Sequence, residues 1–167
     1  YRYKDGKLTH WEDIQNQLPD KMVHGILRDK EGKLWIGTFG QGVSIFNREN
    51  KREWNFIKNN GFPSNAVNHM ILDSQKMVWI ATREGLIKFA NSATPDLYTI
   101  YKEQNGLENS QVKAICEDKE HNIWISTNSG ISQLDSKTDE FLNYNNNDGI
   151  PICDFINKSV SIVDNGM

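Results

Sequence analysis

The segment Trp35-Ile-Gly-Thr38 returns as Trp79-Ile-Ala-Thr82 and again as Trp124-Ile-Ser-Thr127, 44 and then 45 residues apart. A common frame surrounds each copy. An apolar residue (Leu18, Phe62, Leu107) lies 17 positions before the Trp, a valine (Val23, Val67, Val112) 12 before, and an Asp (Asp29, Asp73, Asp118) 6 before. A glycine follows (Gly42, Gly85, Gly130), and four residues beyond it comes another apolar residue (Phe46, Phe89, Leu134). Repeats of this length belong to stacked or radial architectures, helical or β.

The local pattern decides between them. In the first unit, Val23–Asp29 is a short, mostly apolar run that stops at the polar Asp29-Lys-Glu-Gly32. Lys33–Phe39 follows, rich in aromatic and β-branched residues, and Gly40-Gln-Gly42 breaks it. Val43–Phe46 resumes, and a fourth run, Trp54–Ile57, ends at Asn59-Asn-Gly61. Runs this short, bounded by turn residues, are strands and not helices. Four strands per repeat of about 40–45 residues is a propeller blade. The sequence thus predicts an all-β, partial β-propeller of four-stranded antiparallel blades. Blade boundaries fall near 18–61, 62–106 and 107–149. Residues 1–17 supply the last two strands of an earlier blade (Tyr1–Tyr3 and Leu8–Trp11), and 150–167 supply the first strand of a later one (Phe155–Val163).

Composition excludes several classes. The net charge of −3 and only five arginines give no basic stripe of the kind nucleic acid requires. No run of 18 apolar residues predicts a membrane span, and no signal peptide is visible. Cys116 and Cys153 lack metal spacing; a disulfide between them needs close Cα atoms, and two small packed thiols are the simpler expectation.

No catalytic or metal-binding constellation emerges, and no cofactor is implied. The Asp-containing turns lack the alternating oxygen ligands of a calcium loop, so the aspartates are expected to bond their own turns. The shared register of Trp35, Trp79 and Trp124 predicts packing between blades rather than ligand stacking. What varies between units is more informative. In a propeller the loops from fourth to next first strand, and from second to third, meet at one end of the central channel. Here they are rich in Asn, Gln and Gly, which offer donors and acceptors to hydroxyl-rich ligands. The candidate ligand-binding residues are Asn65, Arg83, Asn109, Asn128, Gln41 and His24. The competing reading is that Asn and Gly simply make turns.

The run from Ile26 to Phe46 and the lead-in Gly61-Phe-Pro-Ser-Asn-Ala-Val67 closely resemble the two-component-regulator propeller repeats. These build the periplasmic sensor region of hybrid histidine kinase/response-regulator proteins in Bacteroidetes-type bacteria. Gln75-Lys76 and Glu120-His121 depart from the repeat's usual Asp/Asn-Gly turn, and Leu107-Glu-Asn lacks its proline. The stretch from Gly149 looks like the family's last blade. The resemblance implies a periplasmic, non-enzymatic segment that senses a polysaccharide-derived oligosaccharide, with a kinase elsewhere in the parent chain regulating glycan-use genes. Its partners would be that ligand and the rest of the parent propeller. A head-to-tail homodimer is a further expectation, since a partial ring presents an open face at each end. The rival expectations are a catalytic, lyase-like propeller and a protein-interaction scaffold.

Overall fold

The computed structural model describes residues 2–4, 7–9, 17–18, 20–90, 97–150 and 155–157. A hairpin, β1 (Arg2–Lys4) and β2 (Lys7–Thr9), precedes three four-stranded sheets. Blade I is β3 (Val23–Arg28), β4 (Leu34–Thr38), β5 (Val43–Phe46) and β6 (Arg52–Phe56). Blade II is β7 (Val67–Leu72), β8 (Val78–Thr82), β9 (Gly85–Phe89) and β10 (Tyr98–Tyr101). Blade III is β11 (Val112–Glu117), β12 (Ile123–Thr127), β13 (Ile131–Leu134) and β14 (Phe141–Tyr144). Each blade is an antiparallel meander in which sequence order is spatial order. The predicted all-β blades are therefore observed, and the first strands of successive blades lie side by side. The expected strand from Phe155 is not seen over Phe155–Asn157, and its remainder, with Cys153, Tyr1 and Trp11, lies outside the described residues. Cys116 carries a free, half-buried thiol whose pKa is raised by burial and by the neighbouring Asp118.

The hydrophobic cores form between blades, not within them. Trp35, Val43, Ile45 and Phe56 of blade I pack against Val67, Met70, Ile80 and Phe89 of blade II. The opposite face of blade II, through Trp79, Ala81, Leu86 and Tyr101, packs on Val112, Ile115, Ile125 and Leu134 of blade III. Strand residues alternate faces, so each central strand feeds both neighbouring cores. This explains why β4 and β8 are buried along their whole length. Trp35 and Trp79 are sealed as predicted. Trp124 is only half-buried, because no described sheet covers the outer face of blade III.

The recurring Asp has a double task. Trp35, Trp79 and Trp124 each donate their indole N–H to the Asp six residues earlier at 2.7 Å, through Oδ2 of Asp29, Asp73 and Asp118. The other oxygen accepts the backbone N–H that closes the first hairpin, from Lys33, Met77 and Asn122 at 2.7–2.8 Å. Burial pushes the Asp118 carboxyl up, but the Trp124 indole and the Asn122 and Glu120 donors outweigh it and hold the group below its ordinary value. The threonine after each Trp has a similar logic. Thr38, Thr82 and Thr127 donate to the carbonyls of Gly42, Gly85 and Gly130, closing the second hairpin. Gly42 is obligatory there: its φ is +65° and a Cβ would sit 1.9 Å from the Phe56 carbonyl oxygen. Where blade I turns on Gly32, blades II and III place Lys76 (φ 67°) and His121 (φ 68°) in the same left-handed conformation.

Candidate functional site

The two loop sets meet at one end of the blades. The Gly42 amide, between β4 and β5, donates to the Asn65 carbonyl of the linker to blade II at 2.8 Å. The Phe39 amide donates to the Met22 carbonyl at 3.0 Å, just ahead of β3. In blade II, Lys58 of the linker bonds Glu84 of the β8–β9 turn at 2.7 Å. In blade III, Asn128 Nδ2 donates to Gln111 Oε1 at 2.9 Å.

Asn65 and Asn109 serve their own loops. Asn65 Oδ1 accepts the Lys58 amide at 2.7 Å, and Asn109 Oδ1 accepts the Gln111 amide at 2.8 Å. Each linker also holds a single 3-10 turn, Lys58–Asn60, Glu103–Asn105 and Asn146–Asp148, which the sequence reading missed. The third residue of each turn folds back to accept an amide N–H: Asn60 from Ile57, Asn105 from Lys102 and Asp148 from Asn145, all at 3.0 Å. A left-handed glycine ends each turn, with φ of +93°, +100° and +83°. The amide-rich linker sequences are thus largely turn chemistry.

Three candidates differ from these. Gln41 is exposed at the tip of the β4–β5 turn, and its backbone amide donates to Thr38 Oγ1 at 3.1 Å. Arg83 is exposed, with its guanidinium carbon 4.6 Å from the centre of the Phe39 ring. His24 is half-buried with its ring centroid 5.0 Å from the same ring. Phe39 therefore joins Arg83 of blade II to His24 of blade I. It was not among the residues picked from sequence, although a signal existed. Phe39, Arg83 and Asn128 each directly follow the Trp-Ile-x-Thr segment, the point where an otherwise repeated frame changes most.

The position of His24 follows from a bulge. The pairing of first and second strands slips between Val23 and Gly25, Val67 and His69, and Val112 and Ala114. A bulge re-aims the extra side chain, and His24 Nδ1 donates to the Val67 carbonyl at 3.0 Å. Asn68, at the equivalent place, donates to the Val112 carbonyl at 2.7 Å. His69 instead accepts the Ile115 amide through Nδ1 at 3.2 Å. Both histidines of the first strands are thereby engaged with neighbouring backbone.

A second polar cluster lies at the opposite end, on the first hairpins. Ser74 of blade II donates to Glu117 of blade III through its amide (2.7 Å) and its hydroxyl (2.5 Å). His121 Nδ1 lies 2.9 Å from Ser74 Oγ and 3.0 Å from Glu117 Oε1. Serine and carboxylate face the same ring nitrogen, so this is not the relay of a hydrolase, in which they flank opposite nitrogens. Among the described residues no group of His, Cys, Asp and Glu is placed to hold a metal ion.

Three antiparallel meanders with their cores between them define a class, the blades of a β-propeller. The family Two component regulator propeller matches residues 17–40, 61–84 and 106–129. Three copies of this repeat lie in the chain, as the sequence resemblance implied. It is similar to the extracellular domain of the hybrid two component system BT3049 of B. thetaiotaomicron, at 38% identity and a TM-score of 0.88, covering 95% of this chain and 22% of that one. It also matches Histidine kinase P4 of Formosa agariphila, at 28% identity over 82 residues, 45% of this chain and 6% of the relative. A streptogramin B lyase shares the fold alone, at 19% identity and a TM-score of 0.56 over 77% of this chain and 42% of that one. The chain thus spans a small part of the two-component relatives it matches.

Proposed function

We propose that this chain forms part of the periplasmic ligand-sensing propeller of a hybrid two-component signalling protein. The ligand is a polysaccharide-derived oligosaccharide, and its binding controls genes for glycan use. The likeness to an extracellular domain of such a system supports the class and the location. Among the described residues, no helix is long and apolar enough to cross a membrane. The observation that carries the site is the convergence of His24, Phe39 and Arg83 from two blades on one ring at the loop-bearing end. An aromatic face beside hydrogen-bonding groups suits a sugar, whose C–H face stacks while its hydroxyls bond.

The segment itself is read as non-enzymatic. A lyase-like propeller requires a His/Glu cluster at the channel mouth, whereas His24 and His69 are bonded to neighbouring backbone. A glycan-array screen of the full chain tests the reading. At least one oligosaccharide family should bind, and Phe39→Ala should weaken that binding about tenfold or more without lowering the melting temperature. Capture of protein partners with no saccharide bound would favour the scaffold reading instead.

A further inference from the structure

The cluster around Phe39 holds more cationic hydrogen-bonding capacity than a neutral sugar needs. Arg83 lies on the Phe39 ring, and among the described residues its guanidinium makes no hydrogen bond and no ion pair. A guanidinium carries five donors in a planar fork that matches a carboxylate or sulfate edge. Resting on an aromatic face restricts its rotamers, so less freedom is lost when it binds.

The neighbouring carboxylates are already engaged. Glu84, next to Arg83 in sequence, is bridged by Lys58 Nζ at 2.7 and 2.9 Å. Asp20 accepts the Met22 amide at 3.0 Å and the Gly40 amide at 2.8 Å, bonds that hold its carboxyl below the ordinary value. His24 contributes in turn. A carbonyl can only accept, so Nδ1 carries the proton of the bond to Val67, and in the neutral ring Nε2 is left as an acceptor for a ligand hydroxyl beside the oxyanion.

We infer that the His24–Phe39–Arg83 cluster recognises an oxyanion substituent on the ligand, a carboxylate or a sulfate ester, through the Arg83 fork. This rests on the saccharide reading above and narrows it to acidic glycan fragments. Phe39 is the platform and the positioning residue for Arg83. Lysine at position 83 would keep the charge and lose the planar fork.

Calorimetry on the full chain distinguishes the outcomes with four probes: tetragalacturonate, galactotetraose 6-sulfate, neutral galactotetraose and citrate. One or both charged tetramers should bind about tenfold or more tightly than the neutral one, the margin expected of a charge-assisted pair. Arg83→Ala should abolish that margin, bringing the charged and neutral tetramers to the same affinity, and Arg83→Lys should keep only part of it. The stronger of the two charged probes identifies the substituent. Equal binding of all tetramers, unaltered by Arg83→Ala, would overturn the oxyanion inference while the saccharide reading stands. Arg83-dependent binding of citrate with no saccharide bound would support the cradle and refute the saccharide reading. Binding of none of the four would refute the oxyanion inference, and the glycan array then decides the saccharide reading separately. Thermal melts of each variant confirm folding, which an exposed side chain leaves intact.

Discussion

Asp73 shows how one residue can hold two kinds of structure at once. Its Oδ2 takes the indole N–H of the buried Trp79, and its Oδ1 takes the Met77 amide that closes the β7–β8 hairpin. Replacing it with alanine orphans a buried donor and opens the turn, at a cost of about 3 kcal/mol. Asparagine should not rescue it. Both donors need an acceptor, and an amide side chain would turn its own N–H₂ toward one of them. Urea unfolding of Asp73→Ala and Asp73→Asn checks this, and wild-type stability in the asparagine variant would refute the double role. The spacing of this Asp was legible in the sequence, and so was its bond to the turn. The indole bond was not, because period alone does not say that the two side chains fold toward each other.

At the scale of the strand, burial on both faces sets the cost of mutation. Trp79 lies in the core shared by blades II and III, whereas Trp124 occupies the same register on a face that no described sheet covers. Trp79→Ala should destabilise the chain by about 3–5 kcal/mol. Trp124→Ala should cost about 1–2 kcal/mol, in proportion to the smaller area it removes from water. Equal losses in paired denaturation curves would show that register, not burial, governs these positions. The strands themselves were legible, β5 (Val43–Phe46) to the residue, because alternation and glycine breaks mark them directly. The 3-10 turns were not, since Asn-Asn-Gly and Gln-Asn-Gly read equally as open loops. The same ambiguity promoted Asn65 and Asn109 to site candidates. Phe39 was passed over for the converse reason: a lone aromatic after a strand gives no sign that a side chain from the next blade will lie on it.

Across the whole molecule, the blades are held by cores that resemble one another and by polar ties of which some, those of His24 and Asn68, recur and others do not. Among the described residues, a tie like that between Ser74 and Glu117 occurs only at the junction of blades II and III. At the equivalent place between blades I and II stand Lys30 and Leu72, which cannot form it. Burial raises the Glu117 pKa, but the Ser74 hydroxyl, the Ser74 amide and His121 together outweigh it and leave the group below its ordinary value. A carboxyl whose folded pKa is depressed stabilises the fold above its unfolded value and loses that contribution as pH falls through the folded one. The tie should therefore be fully present at neutral pH and weaken below about pH 4.3, the ordinary glutamate value. Glu117→Gln should be less stable than wild type at pH 7, and the difference should shrink as the pH falls below that value. A stability gap between wild type and Glu117→Gln that stays constant across that range would show that Glu117 acts through packing and not through its charge. If the gap closes as expected, the junction of blades II and III carries an acid-sensitive serine–glutamate tie that has no counterpart at Lys30 and Leu72.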